Sequence, residues 1–157
     1  MESIRPVRFE DAPLRHLAGI RRWHTHAGAA ESIPAQWAEF TTSPLFRNHP
    51  AGCVTYGALC AAREDAFEYM TAVEVESFAH LDPSVGRMRI PALHFAIFQH
   101  EGPVAGIHHT WRAIWEQWIP TSGLKPVHAP EFERYDQRYQ RATRDGIVEI
   151  WTPVTAV

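Results

Sequence analysis

Cysteine is scarce in this chain, with two among 157 residues, and a domain of this length needs no disulfide staple to hold its core. Cys53 and Cys60 are seven positions apart and would sit on opposite faces of a strand, so they read as buried free thiols rather than a bridge. No window approaches ~18 apolar residues without a charge, which leaves no candidate membrane span. The stretch from Met1 to Glu10 interrupts each apolar pair with charge and lacks the apolar core of a signal peptide; a reducing, cytoplasmic setting is the expectation. Excess positive charge is missing too. The 15 Lys and Arg against 18 Asp and Glu give a net charge of −3 with no basic stripe, so nucleic acid is not an expected direct ligand.

Motifs of chemistry are equally sparse. There is no Gly-x-Ser-x-Gly, no glycine-rich phosphate loop and no cysteine with an evident partner, which places binding ahead of catalysis and implies no cofactor. The ten histidines include the clusters His24, His26 and His108, His109. Adjacent histidines on a helix diverge by about 100°, and no carboxylate or cysteine completes either set, so no metal site is expected. His24 and His26 fall where the chain enters the first expected helix, a place from which they could gate a cleft.

What the chain has in quantity is aromatic: six Trp, four Tyr and eight Phe, within a 45% hydrophobic composition. A chain of this length suits one globular domain burying roughly 70% of its unfolded surface. It also repeats itself. Advancing by 78 positions matches Pro13 to Pro91, His16 to His94, Ala18 to Ala96, Gly28 to Gly106, Ala35 to Ala113 and Trp37 to Trp115, six identities between positions 13 and 40.

Each half predicts a strand (about 14–22 and 92–100), a glycine-bearing loop, a helix and two more strands. The first helix carries Ile33, Trp37 and Phe40, with Pro34 expected in its opening turn. The second carries Ile107, Trp111, Ile114, Trp115 and Trp118, and Pro120 and Gly123 end it. Two further strands run from Cys53 to Leu59 and Phe67 to Val75 in the first half, and from Phe132 onward and Ile147 to Val154 in the second. Polar turns at Arg63–Asp65 and Arg144–Gly146 suit hairpins, and residues 79–89 read as the linker between halves. The expected fold is α+β: two pseudo-twofold βαββ repeats, about 1–78 and 88–157, forming an antiparallel sheet with two main helices and a ligand cleft between the halves.

Five blocks then carry a resemblance: Tyr69-Met-Thr-Ala-Val-Glu-Val75, Ile90 to Pro103, Trp118-Ile-Pro-Thr-Ser-Gly123, Phe132-Glu-Arg-Tyr135 and Ile150-Trp-Thr-Pro-Val154. In this order the chain resembles a GyrI-like, or effector-binding, small-molecule domain of the superfamily that includes AraC-type effector-binding and SOUL proteins. The resemblance implies a cleft for flat, lipophilic cations contacted by an acid in the Phe-Glu-x-Tyr block, here Glu133. It implies a stand-alone module for sensing or sequestering amphipathic, cationic aromatic molecules. Its regulators place a DNA-binding segment before this domain, whereas here the first strand begins within the opening twenty residues. Two alternatives follow from the same resemblance: a hydrolase of strained electrophilic compounds using Glu133, and a protein-interaction role such as gyrase inhibition. A homodimer is compatible with all three.

Glu133 shares a strand face with Glu131 and Tyr135, while Phe132 points the other way. The 78-residue offset sets it against Thr55, so a carboxylate stands in one half only. The candidate walls are Tyr56 and Tyr69 on the first half's strands, Trp37 and Trp111 on the helices, and Trp23 in the first loop. Aromatic faces attract an organic cation by roughly 0.5–2 kcal/mol each, and they tolerate many flat ligands.

Overall fold

The computed structural model describes residues 3–49 and 53–156; Met1 and Glu2 of the N-terminal stretch lie outside it. Ten strands of the described residues form one sheet: β1 (Arg8–Ala12), β2 (Arg15–Thr25), β3 (Thr55–Ala62), β4 (Ala66–Val75), β5 (Gly86–Ile90), β6 (Leu93–Pro103), β7 (Leu124–Pro126), β8 (Glu131–Tyr135), β9 (Tyr139–Gln140) and β10 (Asp145–Ala156). All pairings are antiparallel, in the order β1-β6-β10-β8-β3-β4-β2-β5, with β7 and β9 added along β10. The α+β class and antiparallel sheet are as the sequence implied.

The strand order reads alike from both edges once β1 is exchanged for β5, β2 for β6, β3 for β8 and β4 for β10. Strands β2 and β6 begin 78 positions apart, at 15 and 93, as do β1 and β5 at 8 and 86. The centre of the sheet is therefore the β3–β8 seam.

The βαββ pattern omitted β1, β5, β7 and β9. Strand β5 lies largely inside the segment read as a linker. Its Arg87 and Arg89 alternate with Met88 and Ile90, one side buried and the other not, as befits a strand at the sheet's edge.

Helix α1 (Ala29–Thr41) buries Gln36 and Phe40, and Pro34 is its sixth residue, not part of the opening turn. The proline removes one backbone donor from the helix interior, so α1 persists through its packing on the sheet rather than through propensity. A one-turn helix, α2 (Pro44–Arg47), follows. The second half's helical stretch is composite: a 3-10 turn at Val104–Gly106, α3 (Ile107–Ala113), a π segment at Ile114–Trp118 and α4 (Ile119–Thr121). The wide π turn rotates the apolar stripe. Trp115, expected in the core, is 41% exposed, whereas Ile114 and Ile119 are buried.

Two cores result. The helices cover one face of the sheet, where Ile114 and Ile119 pack on Ala96, Phe98, Ile150 and Val154. The other core is built from strands alone, among them Leu17, Tyr56, Met70, Ile90, Phe95, Phe132 and Trp151. Strand residues can bury on a helix-free face only if the sheet curls around them. At this strand-only core Phe95, Phe132 and Trp151 meet with ring centroids 5.2–5.5 Å apart.

Candidate functional site

The β3–β8 seam pairs Thr55 with Tyr135, Gly57 with Glu133 and Leu59 with Glu131. The 78-residue offset equates Glu133 with Thr55 and Tyr135 with Gly57, and across the seam each of these residues pairs with a member of the other equivalence. Alternation along β8 sends Glu131, Glu133 and Tyr135 to the helix face and Phe132 to the strand-only core. Glu133 is 5% exposed.

Three side chains donate to this buried carboxylate. The Tyr69 and Tyr135 hydroxyls each reach Oε1 at 2.7 Å, and the Trp111 indole N–H reaches Oε2 at 2.9 Å. Trp37 supports the set from α1, donating its indole N–H to the Tyr69 oxygen at 3.2 Å and meeting the Tyr135 ring edge-on at 5.1 Å. Burial raises the Glu133 pKa, and Tyr135, Trp111, Tyr69 and the nearby His100 draw it partly back. The pKa values of Tyr69 and Tyr135 are driven well up, by burial first and then by the Glu133 charge, so both stay protonated donors.

Gly57 makes this convergence possible. A Cβ there would stand 1.9 Å from the Tyr69 hydroxyl and 2.7 Å from Glu133 Oε1, inside the space the hydrogen bond occupies. Sequence reasoning passed over Gly57 because the signal is a missing side chain. Tyr135 was legible as a neighbour on the same face but was not carried into the site.

The six candidate residues thus divide. Glu133, Tyr69, Trp111 and Trp37 come together. Tyr56 faces the strand-only core and donates to Glu74 at 3.0 Å. Trp23 is 39% exposed on that same side of the sheet, beneath the Arg63 guanidinium at 3.7 Å. His24 does not gate a cleft: it is buried, with Nδ1 on Ser32 and Nε2 on Gln36, and His26 packs on Phe67. Cys53 and Cys60 are unbridged and half-buried, and burial pushes the Cys60 thiol up to about 12.

A second buried glutamate supplies a contrast. Glu149, on the strand-only side, is answered by Arg8 at 2.7 Å, Arg138 at 3.1 Å and Arg134 at 3.5 Å. Burial pushes its pKa upward, yet Arg8, Trp151 and Arg138 outweigh that and hold it below the ordinary value. Among the described residues, no basic side chain forms an ion pair with Glu133.

Two positions before Glu133, Glu131 accepts from the Trp115 indole at 3.0 Å, and burial pushes its carboxyl up to about 7 against that bond. A carboxyl with higher proton affinity folded than unfolded takes up a proton on folding, so its contribution to stability falls as pH rises from about 4.5 to about 7. Relative to wild type, Glu131→Gln should be neutral near pH 4.5 and stabilising at pH 8 by about 2 kcal/mol after allowance for its partial solvation. In thermal melts that is a gain of about 4–8 °C at pH 8 only. A gain independent of pH would show that the Glu131 charge is not the cause.

A seam-centred carboxylate under two indoles, in an antiparallel sheet with helices on one side, defines a small-molecule-binding domain of the effector-binding type. The chain belongs to the GyrI-like family, whose model, the GyrI-like small molecule binding domain, matches residues 5–155. It is 30% identical over 87 residues to the transcriptional regulator BrlR of Pseudomonas aeruginosa, a match covering 55% of this chain and 32% of the regulator. The chain therefore matches about a third of that relative's length. Its fold is similar to that of SAV2435 in complex with tetraphenylphosphonium, with a TM-score of 0.74 and 17% identity over 94% of this chain and 93% of the other. An integron cassette protein of Vibrio cholerae is similar at a TM-score of 0.70 and 15% identity, over 98% of both chains. Among the described residues no helix is long and apolar enough to cross a membrane.

Proposed function

We propose that the domain binds lipophilic aromatic cations, with Glu133 as their counter-charge and Trp37, Trp111, Tyr69 and Tyr135 as the walls, and that it serves to sense or sequester them. The observation that carries this reading is the contrast between two buried glutamates. Glu149 has three arginines, whereas Glu133 has only neutral donors. Hydroxyl and indole donors keep such a carboxylate tolerable but leave its charge uncompensated, and a cation brought among the rings removes that deficit.

Glu133 is covered in this arrangement, and Trp37 and Trp111 are the half-buried layer above it. Ligand entry therefore requires the indoles to swing aside, at the loss of the Trp111–Glu133 bond, which the ligand's own charge replaces. The tetraphenylphosphonium complex of the structurally similar SAV2435 makes that cation the natural probe.

The test is calorimetric titration with tetraphenylphosphonium and with neutral triphenylphosphine oxide, similar in its aromatic groups but without the charge. The cation should bind with a dissociation constant on the order of 10 μM and the neutral compound at least tenfold more weakly. Equal affinities, or no cation binding up to millimolar concentration, would overturn the reading.

A further inference from the structure

We infer that Glu131 is a second charge-selecting residue of this site, and that the domain prefers elongated dications over monocations. The inference rests on the cationic-ligand reading above. Glu131 and Glu133 lie two residues apart on one face of β8, so their side chains project about 7 Å apart along the strand. Each is capped by an indole from the same helical stretch: Trp111 on the inner carboxylate and Trp115, one wide turn further on, at the outer. The geometry is a ladder of two carboxylate–indole rungs, one buried and one half-buried beneath Trp115, which is 41% exposed.

The ladder has a direction. At the Leu59–Glu131 end of the seam stands a carboxylate with no basic partner among the described residues. At the Thr55–Tyr135 end stands Arg141, its guanidinium 3.3 Å from the Thr55 hydroxyl and 5.0 Å from the Phe46 ring. A ligand with one charged group on Glu133 and a second one along its length therefore meets attraction in one direction and repulsion in the other. Its second centre comes to Glu131, over the face of Trp115. Burial makes the charged form of the Glu131 carboxyl costly, and a second cationic centre beside it offsets that cost.

Ethidium and propidium test this, because they share the phenanthridinium and differ by a quaternary ammonium on a short arm. Wild type should bind propidium about tenfold more tightly than ethidium. In Glu131→Gln, which keeps an acceptor for Trp115, the ratio should fall to within about twofold, ethidium itself losing at most about threefold. Glu64→Gln removes the same net charge at the exposed β3–β4 turn and should leave the wild-type ratio in place. Near-UV circular dichroism confirms that each variant is folded. An unchanged ratio in Glu131→Gln, or an equal fall in Glu64→Gln, overturns the proposal and leaves the role of Glu133 standing. If neither dye binds wild type, or Glu133→Gln binds both as well as wild type does, the cationic-ligand reading falls and this inference with it.

Discussion

Glu133→Gln should weaken tetraphenylphosphonium binding by about 100-fold while leaving the protein folded. The substitution is nearly isosteric, and a side-chain amide can still accept from one side of the cluster and donate to the other. What it removes is the charge. A cation about 5 Å from the carboxylate, at an effective dielectric constant near 20, is attracted by about 3 kcal/mol. At 1.4 kcal/mol per decade that is about two orders of magnitude in affinity. The measurement is calorimetry at pH 8, well above the ordinary carboxyl range, because burial raises the Glu133 pKa. A loss smaller than about threefold would remove Glu133 from the site; a larger loss accompanied by collapse of the near-UV spectrum would reassign it to the fold.

The second large effect concerns stability. Gly57→Ala should cost about 4 kcal/mol, because its methyl group needs the volume in which Tyr69 meets Glu133. Overpacking a well-filled interior costs about 1–3 kcal/mol, and a lost hydrogen bond that strands a buried partner adds about 1–3 more. For a chain of this size that corresponds to a fall of about 8–16 °C in Tm. Tyr69→Phe supplies the internal check: once the hydroxyl is gone, adding the Gly57 methyl should cost at least 1 kcal/mol less than it does in wild type. Additive effects would mean that the methyl group disturbs backbone pairing instead.

The sequence disclosed the acid more readily than its surroundings, and the reason lies in range. Glu133 stands out locally, as a charge between aromatics in the Phe132–Tyr135 strand, and the family resemblance assigned it a role. Tyr69 contacts it from 64 positions away, through strand pairings that no local pattern encodes. Tyr56 looked as good a wall as Tyr69, yet the two lie on adjacent antiparallel strands with opposite parity relative to the seam, so one faces the helices and the other the strand-only core. Trp115 was misplaced because a 3.6-residue period assumes a regular helix, and the π segment from Ile114 to Trp118 breaks it. The α+β class and antiparallel sheet were legible because they follow from alternation and composition. Edge strands β1 and β5 were not: Glu10 and Asp11 stand side by side in β1, and the alternation of β5 spans only Arg87 to Ile90, directly after the turn-forming residues 82–86.

The division of the interior into a helix-covered core and a strand-only core has a thermodynamic consequence for the proposed entry of a ligand past the two indoles. Swinging Trp37 and Trp111 outward disturbs the helical layer, while Phe95, Phe132 and Trp151 stay packed on the far side of the sheet. The work of opening is thereby uncoupled from the work of unfolding. If ligands enter as proposed, the mouth of the site can change shape while the frame keeps one form, and such pliancy need not come at the expense of lifetime.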